Sequence, residues 1–340
     1  MSKAKDHRLV VITGGTGGIG RATAVRFAHE GCDVVVLARG QERLDDTVRQ
    51  LEGLGVRALG ISLDVADAAA VEAAAARIER ELRPIDVWIN DAMTDVFAPA
   101  LDITAEEYRR VTEVCYLGYV HGTLSALKRM TARNRGHLIF VGSAVAYRGI
   151  PLQAAYSGAK HAIQGFFDSL RTELIHDGSA VRLTMVQMPA VNTPQFNWCR
   201  SKLPEKAQPL PPIYQPEVAA DAIYFASTTD RREFWVGGST VKGIIGNRLA
   251  PNFADHYLAR KGLSGQTTGE PKPASHQDNL FEPASGLFGA HGDFDGRARP
   301  ASLQLWASKN RRALGVGALV ATGLALVGSR DRRRRRAAAR

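Results

Sequence analysis

The chain has 340 residues, 45% of them hydrophobic, and a formal net charge of +10 at pH 7. This length allows a full hydrophobic core and is long for one domain, so we expect one catalytic domain with an appended segment. Residues 330–340 contain seven arginines and one aspartate, and Lys309, Arg311 and Arg312 precede them, which leaves residues 1–308 with a net charge of only +1. A nucleic-acid-binding domain spreads Lys and Arg over one folded face, so we expect no nucleic-acid partner.

The three cysteines are far apart in the chain, at Cys32, Cys115 and Cys199. This odd number excludes a fully paired disulfide framework, and the spacing is not that of a zinc site, so we expect reducing surroundings and no metal. The first residues lack the basic segment, long apolar run and cleavage site of a secretory signal. We therefore expect the catalytic domain to be cytoplasmic.

From residue 8 onward, short β-branched apolar runs alternate with stretches of helical pattern, which predicts a parallel sheet covered by helices. The predicted strands are Leu9–Thr13, Asp33–Ala38, Ala58–Leu63, Asp86–Asn90, His137–Gly142, Arg182–Gln187 and Glu233–Val236. The predicted helices cover residues 18–30, 41–53, 67–82, 104–132, 154–177 and 216–227. Seven strands with six crossovers indicate an α/β, Rossmann-type doubly wound domain, whose ligands bind at the carboxyl ends of the strands.

A further helix is predicted over roughly Thr240–Arg260, and the catalytic domain is predicted to cover residues 1–262. Residues 263–308 are rich in Pro, Gly, Ser and Asp, which predicts an arm or linker. We expect this arm to lie loosely on the surface. The alternative is that its phenylalanines pack on the core, namely Phe281, Phe288 and Phe294.

Residues 309–340 form a third segment. Within it, residues 313–329 carry no charge and would extend about 25 Å as a helix, slightly short for a bilayer core. Because this stretch has no polar face, burial in lipid or in protein is favoured over lying flat on a membrane. We expect contact with the inner face of the cell membrane, in an undetermined mode. The alternative is a helix docked on a partner, with its arginines solvated.

The first strand runs into a glycine-rich turn, Thr13-Gly14-Gly15-Thr16-Gly17-Gly18-Ile19-Gly20, and then into a helix. Glycines here allow a tight turn, close approach of a pyrophosphate, and close packing of helix on strand. The spacing resembles that of the short-chain dehydrogenase/reductase family. This resemblance implies that a nicotinamide dinucleotide is bound by Thr13, Gly14, Gly18, Ile19 and Gly20.

Further segments resemble the same family in the same order, over about residues 8–245. Asp64-Val65 resembles the pair that contacts adenine. Asn90-Asp91-Ala92-Met93 resembles the family's Asn-Asn-Ala-Gly, with changes at its second and fourth positions that could alter the turn beside the nicotinamide ribose. The resemblance implies cofactor contacts by Asn90 and Ala92. The later family segment Pro-Gly-x-x-x-Thr is matched well only at Thr193, which implies contact with the nicotinamide carboxamide.

The second strand ends at Ala38-Arg39, where an acidic residue would bind the ribose 2′-hydroxyl of NAD. Ala38 cannot make that bond, whereas the guanidinium of Arg39 can pair with a 2′-phosphate. We therefore expect NADP(H) to be preferred over NAD(H). The alternative is that Arg39 is a solvated surface arginine.

Tyr156 and Lys160 are four residues apart in a predicted helix and therefore share one face. A lysine ammonium and an oxidised nicotinamide both favour the phenolate, so Tyr156 can exchange a proton with a ketone or an alcohol as hydride moves. Ser143 follows the fifth strand, and its hydroxyl can bind the substrate oxygen. These three residues match the family's catalytic set, which also implies that Tyr156 and Lys160 contact the cofactor.

Family members usually carry an asparagine in the preceding helix, within Asn-x-x-Gly, which supports a water relay to the lysine. This chain has Cys115-Tyr116-Leu117-Gly118 instead. A thiol cannot replace an amide as a hydrogen-bonding group. We therefore hypothesise slower proton exchange with solvent, or a relay rebuilt from neighbouring residues. The alternative is a small cysteine buried in a helix core.

Residues 194–216 correspond to the stretch that covers the substrate in this family. Six prolines stiffen it, and its apolar side chains are Phe196, Trp198, Leu203, Leu210, Ile213 and Tyr214. Such a lid suits a lipophilic substrate, although the aromatic residues could also form a dimer contact. We predict an NADP(H)-dependent oxidoreductase that interconverts a ketone or aldehyde and an alcohol, and the resemblance implies a homodimer or homotetramer. The alternative is a catalytically weak cofactor-binding scaffold or sensor tethered at a membrane.

Overall fold

The computed structural model describes residues 6–315. Within them, seven strands form one parallel sheet. They are β1 Leu9–Thr13, β2 Asp33–Ala38, β3 Ala58–Ser62, β4 Val87–Asn90, β5 His137–Ser143, β6 Arg182–Met188 and β7 Glu233–Trp235. Their order in the sheet is β3-β2-β1-β4-β5-β6-β7. The predicted Rossmann-type doubly wound sheet is confirmed, and each observed strand end lies within one residue of its prediction.

Helices cover both faces of the sheet. They are α1 Gly18–His29, α2 Gln41–Glu52, α3 Ala68–Glu81, α4 Ala105–Thr112, α5 Gly118–Ala132, α6 Ala154–His176, α7 Gln195–Trp198, α8 Pro216–Ser227, α9 Gly238–Leu249, α10 Pro251–Lys261 and α11 Leu303–Lys309. Side chains of α3 to α6 pack on one face, and those of α1, α2 and α8 pack on the other. Because both faces are covered, a central strand such as β2 is a continuous apolar run with residues 34–37 fully buried.

The stretch predicted as one helix over residues 104–132 is interrupted. A capping box between Thr104 and Glu107 starts α4, and a π-helical turn, Glu113–Leu117, then separates α4 from α5. A π turn widens the helix and changes the direction of the side chains that follow it, and such turns are frequent at functional sites. Cys115 lies within this turn, and Tyr119 lies just after it.

The prediction of a single helix over Thr240–Arg260 was wrong, because two helices, α9 and α10, occupy this region. Pro251 has no N–H group to continue the hydrogen-bond ladder of α9. It is instead the first residue of α10, where a missing N–H group carries little penalty.

The arm, residues 263–308, is packed against the body. Its strand Thr267–Pro271 pairs with Glu205–Ala207, and its side chains that are at most 6% exposed include Leu280, Ala284, Phe294 and Leu305. The expectation of a loose surface arm was wrong, because these apolar side chains are buried in the body. The proposed boundaries at residues 262 and 308 stay a prediction, and α11 crosses the second of them.

Most of the predicted apolar segment 313–329, and all of the arginine-rich residues 330–340, lie outside the described residues. In the part of the chain that the structure describes, no helix is both long and apolar enough to cross a membrane.

Candidate active site

One large cavity, of about 1030 Å³, lies at the carboxyl ends of the strands. The strand order reverses between β1 and β4, and this switch point is where doubly wound sheets bind their ligands. The predicted site residues that line the cavity are Gly14, Gly18, Ile19, Arg39, Asp64, Val65, Ala92, Ser143, Tyr156, Lys160 and Thr193. Residues that are far apart in the sequence, such as Gly14 and Ser143, thus line the same cavity.

The glycine turn forms the floor of the cavity. Gly14 has a φ of +75°, and a Cβ built on Gly20 would lie 2.3 Å from the carbonyl oxygen of Gly14, so neither position accepts a side chain without strain. The Thr13 hydroxyl accepts hydrogen bonds from the backbone N–H groups of Asp91 and Ala92, at 3.1 and 3.2 Å. Thr13 and Gly20 therefore shape the turn from behind rather than line the cavity.

The N-terminus of α1 faces the cavity and presents backbone N–H groups. The N–H of Gly18 donates to the carbonyl oxygen of Gly289 at 3.3 Å, and the N–H of Arg21 begins the helical ladder. Among residues 6–315, no backbone acceptor is found for the N–H groups of Ile19 and Gly20. Two donors at the positive end of a helix dipole are thus available to a phosphate group.

Arg39 and Asp64 lie at one end of the cavity, after β2 and β3. The guanidinium of Arg39 donates to backbone carbonyl oxygens of the arm, including that of Phe281 at 2.7 Å. Asp64 forms an ion pair with Arg110 of α4. Arg39 is therefore not a freely solvated surface arginine, which was the alternative to a role in binding.

Asn90 is placed away from the cavity. Its side chain is fully buried, accepts a hydrogen bond from the Trp88 indole at 3.0 Å, and donates to the Thr123 hydroxyl at 3.0 Å. Both ends of the amide are therefore used, the oxygen within β4 and the nitrogen to join β4 to α5. The amide of Asn90 supports the loop that carries Asp91 and Ala92, and direct contact with a cofactor through this amide is not favoured.

Ser143, Tyr156 and Lys160 face the cavity from β5 and α6. The Nζ of Lys160 donates to the Val141 carbonyl at 2.8 Å and lies 5.5 Å from the centre of the Tyr156 ring. One turn of α6 separates the two side chains, as their spacing predicted. The three predicted residues thus come together around one point of the cavity wall.

The pKa of Tyr156 lies well above its usual value, because burial disfavours the phenolate and Cys115, Asp95 and Asp91 act in the same direction. A hydrogen bond with Ser143 acts in the opposite direction. We expected the Lys160 ammonium to favour the phenolate, but its Nζ is directed to Val141 and Tyr119 instead. In this arrangement Tyr156 holds its proton.

Lys160 is also shielded from solvent, and burial lowers its pKa, while Cys115 and Asp91 act in the opposite direction. Its Nζ donates to the hydroxyl of Tyr119 at 3.1 Å, and that hydroxyl donates to the Val141 carbonyl at 2.9 Å. Tyr119 is 1% exposed. The contact of Tyr119 with Lys160 could not be predicted from the sequence, because it depends on the π turn that directs Tyr119 toward Lys160.

Cys115 does not form a hydrogen bond with Lys160. Its thiol donates to the Thr94 carbonyl at 3.0 Å and accepts from the Thr94 N–H at 3.3 Å. Burial raises the pKa of this thiol to about 11, so it is neutral at physiological pH. The observed contacts favour the alternative of a small buried cysteine, and the effect of Cys115 on proton exchange stays a prediction.

The far end of the cavity is apolar and is formed by the predicted lid, by α9 and α10, and by the loop before α6. Leu249 and Phe253 are 80% and 72% exposed although they line the cavity. The apolar lining residues at this end are Val145, Ile150, Pro209, Leu210, Pro211, Pro212, Leu249, Phe253, Tyr257 and Leu258. Lys242 and Lys261 add positive charge to the same wall, where Arg148 forms an ion pair with Asp255.

Only part of the predicted lid reaches the cavity. Phe196, Trp198 and Leu210 line it, whereas Leu203 and Ile213 are buried in a separate cluster with Phe294 of the arm. Tyr214 packs with α8 in the core on the face of the sheet that α1, α2 and α8 cover. The arm residues Asn279 and Pro283, which sequence reasoning did not single out, also line the cavity.

Comparison with known proteins agrees with this geometry. Residues 8–203 match the short chain dehydrogenase family. The chain is 30% identical over 289 residues to the uncharacterized oxidoreductase YxnA of Bacillus subtilis (strain 168), a match that covers 84% of this chain and 81% of that one. The chain belongs to the short-chain dehydrogenase family.

Two solved structures share the fold of this short-chain dehydrogenase. One is an alcohol dehydrogenase from the archaeon Thermococcus sibiricus complexed with 5-hydroxy-NADP, with a TM-score of 0.58 and 25% identity, covering 68% of this chain and 96% of that chain. The other is a single-substitution variant of actinorhodin polyketide ketoreductase with NADPH, with a TM-score of 0.61 and 25% identity, covering 69% and 97%. The predicted family is thus confirmed, and the chain is an oxidoreductase of that family.

Proposed function

We propose that this short-chain dehydrogenase is an NADP(H)-dependent oxidoreductase that interconverts a ketone or aldehyde and an alcohol on a lipophilic substrate. The observation that carries the proposal is the position of Ser143, Tyr156 and Lys160 on the wall of one cavity that also contains the glycine turn. In this family the nicotinamide cofactor supplies or accepts the hydride.

The residues present fit such a cofactor. Side chains are excluded at Gly14 and Gly20, and the N–H groups of Ile19 and Gly20 are available to a pyrophosphate. The end of β2 offers Arg39 and no acidic side chain, which supports a preference for the 2′-phosphorylated cofactor. The two similar structures contain NADP-type nucleotides, in agreement with this choice.

Tyr156 holds a proton at Oη, because burial and the neighbouring acidic groups oppose its loss. Tyr156 can give this proton to the carbonyl oxygen of a substrate as hydride reaches the carbonyl carbon, and the product is an alcohol. The hydroxyl of Ser143 can bind the same oxygen and stabilise its developing charge. The opposite transfer of proton and hydride oxidises an alcohol.

The lipophilic substrate is supported by the exposed apolar side chains at the far end of the cavity. An exposed apolar patch is formed there by Leu249, Phe253 and Tyr257. Contact of this patch with water is unfavourable, and an apolar substrate chain bound in the cavity would remove that contact. Steroid-like, retinoid-like and long-chain carbonyl compounds all have this character.

The test is a titration of the purified chain with NADPH and NADH, followed by a screen of lipophilic ketones for loss of NADPH absorbance. The proposal predicts tighter binding of NADPH than of NADH, and NADPH oxidation with at least one class of ketone. Tight NADPH binding without turnover on a broad panel would instead support a cofactor-binding scaffold or sensor. Absence of nucleotide binding would overturn both.

A further inference from the structure

We propose that residues 277–292 of the arm, here named the strap, form the outer wall of the cofactor site and must open for the cofactor to enter or leave. This inference rests on the proposed function, because it assigns the nucleotide to the glycine-turn end of the cavity. It adds a cofactor-enclosing element that lies outside residues 8–203, the part that matches the family.

The strap is held first at the ends of β2 and β3. The Arg39 guanidinium donates to the carbonyl oxygens of Asn279, Leu280 and Phe281, and Arg110 donates to that of Leu280 at 3.0 Å. The Leu280 side chain is 0% exposed and belongs to the hydrophobic core between the sheet and α3 to α6. One arginine from the end of β2 and one from α4 thus hold a segment that is 240 residues away from Arg39 in sequence.

The strap is held again at the glycine turn. The Gly289 carbonyl accepts the N–H of Gly18 at the start of α1. Phe288 packs edge-on against Trp198, with ring centroids 4.6 Å apart, and the Arg43 guanidinium lies 5.1 Å from the Trp198 ring. A Cβ on Gly17 would lie 3.1 Å from Trp198, so the indole closes over the turn. The strap therefore crosses from the predicted adenine end to the predicted pyrophosphate end.

The cavity remains beneath the strap. Asn279 and Pro283 line it together with Gly17, Arg39 and Asp64, so the strap covers the nucleotide end of the cavity without filling it. Arg39 has five N–H donors, of which the strap carbonyls use three, so donors remain for a 2′-phosphate. The same arginine can thus hold the strap and select the cofactor.

The sharpest test locks the strap to the body. A Cβ built on Gly40 would lie 3.6 Å from the Cβ of Pro283, within the range of a disulfide. The double variant Gly40→Cys/Pro283→Cys is therefore expected to form a disulfide on oxidation, while the native cysteines, Cys32, Cys115 and Cys199, are buried. The variant is loaded with NADPH while reduced and then oxidised, and NADPH release into excess NADP⁺ is followed by stopped-flow nucleotide fluorescence.

Oxidation is expected to slow NADPH release at least about tenfold, and dithiothreitol is expected to restore the original rate. The single variant Gly40→Cys, treated in the same way, should show no change. Equal NADPH release rates from the disulfide-bonded and the reduced double variant would overturn the proposed role of the strap, while leaving the proposal of cofactor binding intact. Failure of the unmodified chain to bind NADPH would instead overturn the proposed function, and the strap with it.

A second pair of variants loosens the strap. Leu280→Ala removes its buried anchor, whereas Leu287→Ala truncates a leucine of the same strap that is 53% exposed. Leu280→Ala is expected to release NADPH at least about tenfold faster, with the single-turnover rate at saturating NADPH and ketone unchanged. Leu287→Ala should behave like the unmodified chain. A folded Leu280→Ala variant with an unchanged release rate would contradict the proposal.

Discussion

The Nζ of Lys160 lies 3.1 Å from the hydroxyl oxygen of Tyr119, and both groups bond to the carbonyl of Val141. One of the three N–H groups of the Lys160 ammonium therefore donates to the hydroxyl of Tyr119. This arrangement follows from the π turn before α5, and it suggests that Tyr119 positions Lys160 in place of the relay that an asparagine at position 115 would support.

Tyr119→Phe removes this acceptor and leaves Lys160 more weakly held in a buried place. A lost hydrogen bond to a charged group is worth roughly 1.5–3 kcal/mol, so kcat/KM should fall about tenfold or more. The charged lysine loses stabilisation, so its pKa falls further and the alkaline limb of the pH profile moves to lower pH. Tyr116→Phe, on the same helical turn, is the control. An unchanged pH profile in a folded Tyr119→Phe variant would argue against a positioning role.

Asp95 makes the stability of the fold depend on pH. Its side chain is 0% exposed, its Oδ2 has no hydrogen-bond partner, and burial raises its pKa to about 8. The folded chain thus binds a proton that the unfolded chain releases near pH 4, so the contribution of Asp95 to stability is fully present below about pH 4 and is lost between about pH 4 and 8. For one such group, the free energy of unfolding falls by about 1.4 kcal/mol per pH unit between the two pKa values.

Asp95→Asn should remove this contribution to the pH dependence of the free energy of unfolding. Urea unfolding at several pH values from 5 to 8 measures that dependence. Asp177→Asn replaces an exposed aspartate and serves as the control. If Asp95→Asn and the unmodified chain lost stability in parallel across this range, the buried carboxyl group would not be the cause.

Arg39 is expected to discriminate between the two cofactors. Arg39→Ala removes both the strap anchor and the partner of the 2′-phosphate, so NADPH affinity should fall at least about tenfold more than NADH affinity. Leu280→Ala loosens the strap alone and should weaken both cofactors by the same factor. Isothermal titration with each nucleotide measures the two ratios. An equal loss for NADPH and NADH in Arg39→Ala would remove the basis for the proposed preference.

Substrate chain length tests the apolar end of the cavity. Each buried methylene contributes about 0.8 kcal/mol, so kcat/KM for a series of methyl ketones should rise about three- to fourfold per carbon until the cavity is filled. Leu249→Ala should weaken this dependence, whereas Leu303→Ala, equally 80% exposed but outside the cavity, should not. A flat series would contradict a lipophilic substrate.

The sheet could be predicted from the sequence because its strands are short, mainly apolar runs, and because inner strands such as β1 and β2 are buried on both faces. The cofactor turn and the Ser143, Tyr156 and Lys160 set could be predicted because their spacing along the chain is characteristic. The strap could not be predicted, because residues 277–292 have no periodicity and because Arg39 and Arg110 hold it through its own backbone carbonyl oxygens, which any sequence provides. The position of Tyr119 depends on a π turn, for which the residues Glu113–Leu117 give no recognised signal.

The central claim, that Tyr156 transfers the proton in an NADP(H)-dependent reaction, is tested most directly by Tyr156→Phe. This variant is compared with the unmodified chain for NADPH affinity and for NADPH oxidation with the best ketone of the screen. We predict that NADPH affinity stays within about twofold, while kcat falls at least about 100-fold, since general acid catalysis contributes roughly 10²–10⁴-fold. A Tyr156→Phe variant that oxidised NADPH as fast as the unmodified chain would contradict the claim that Tyr156 transfers the proton.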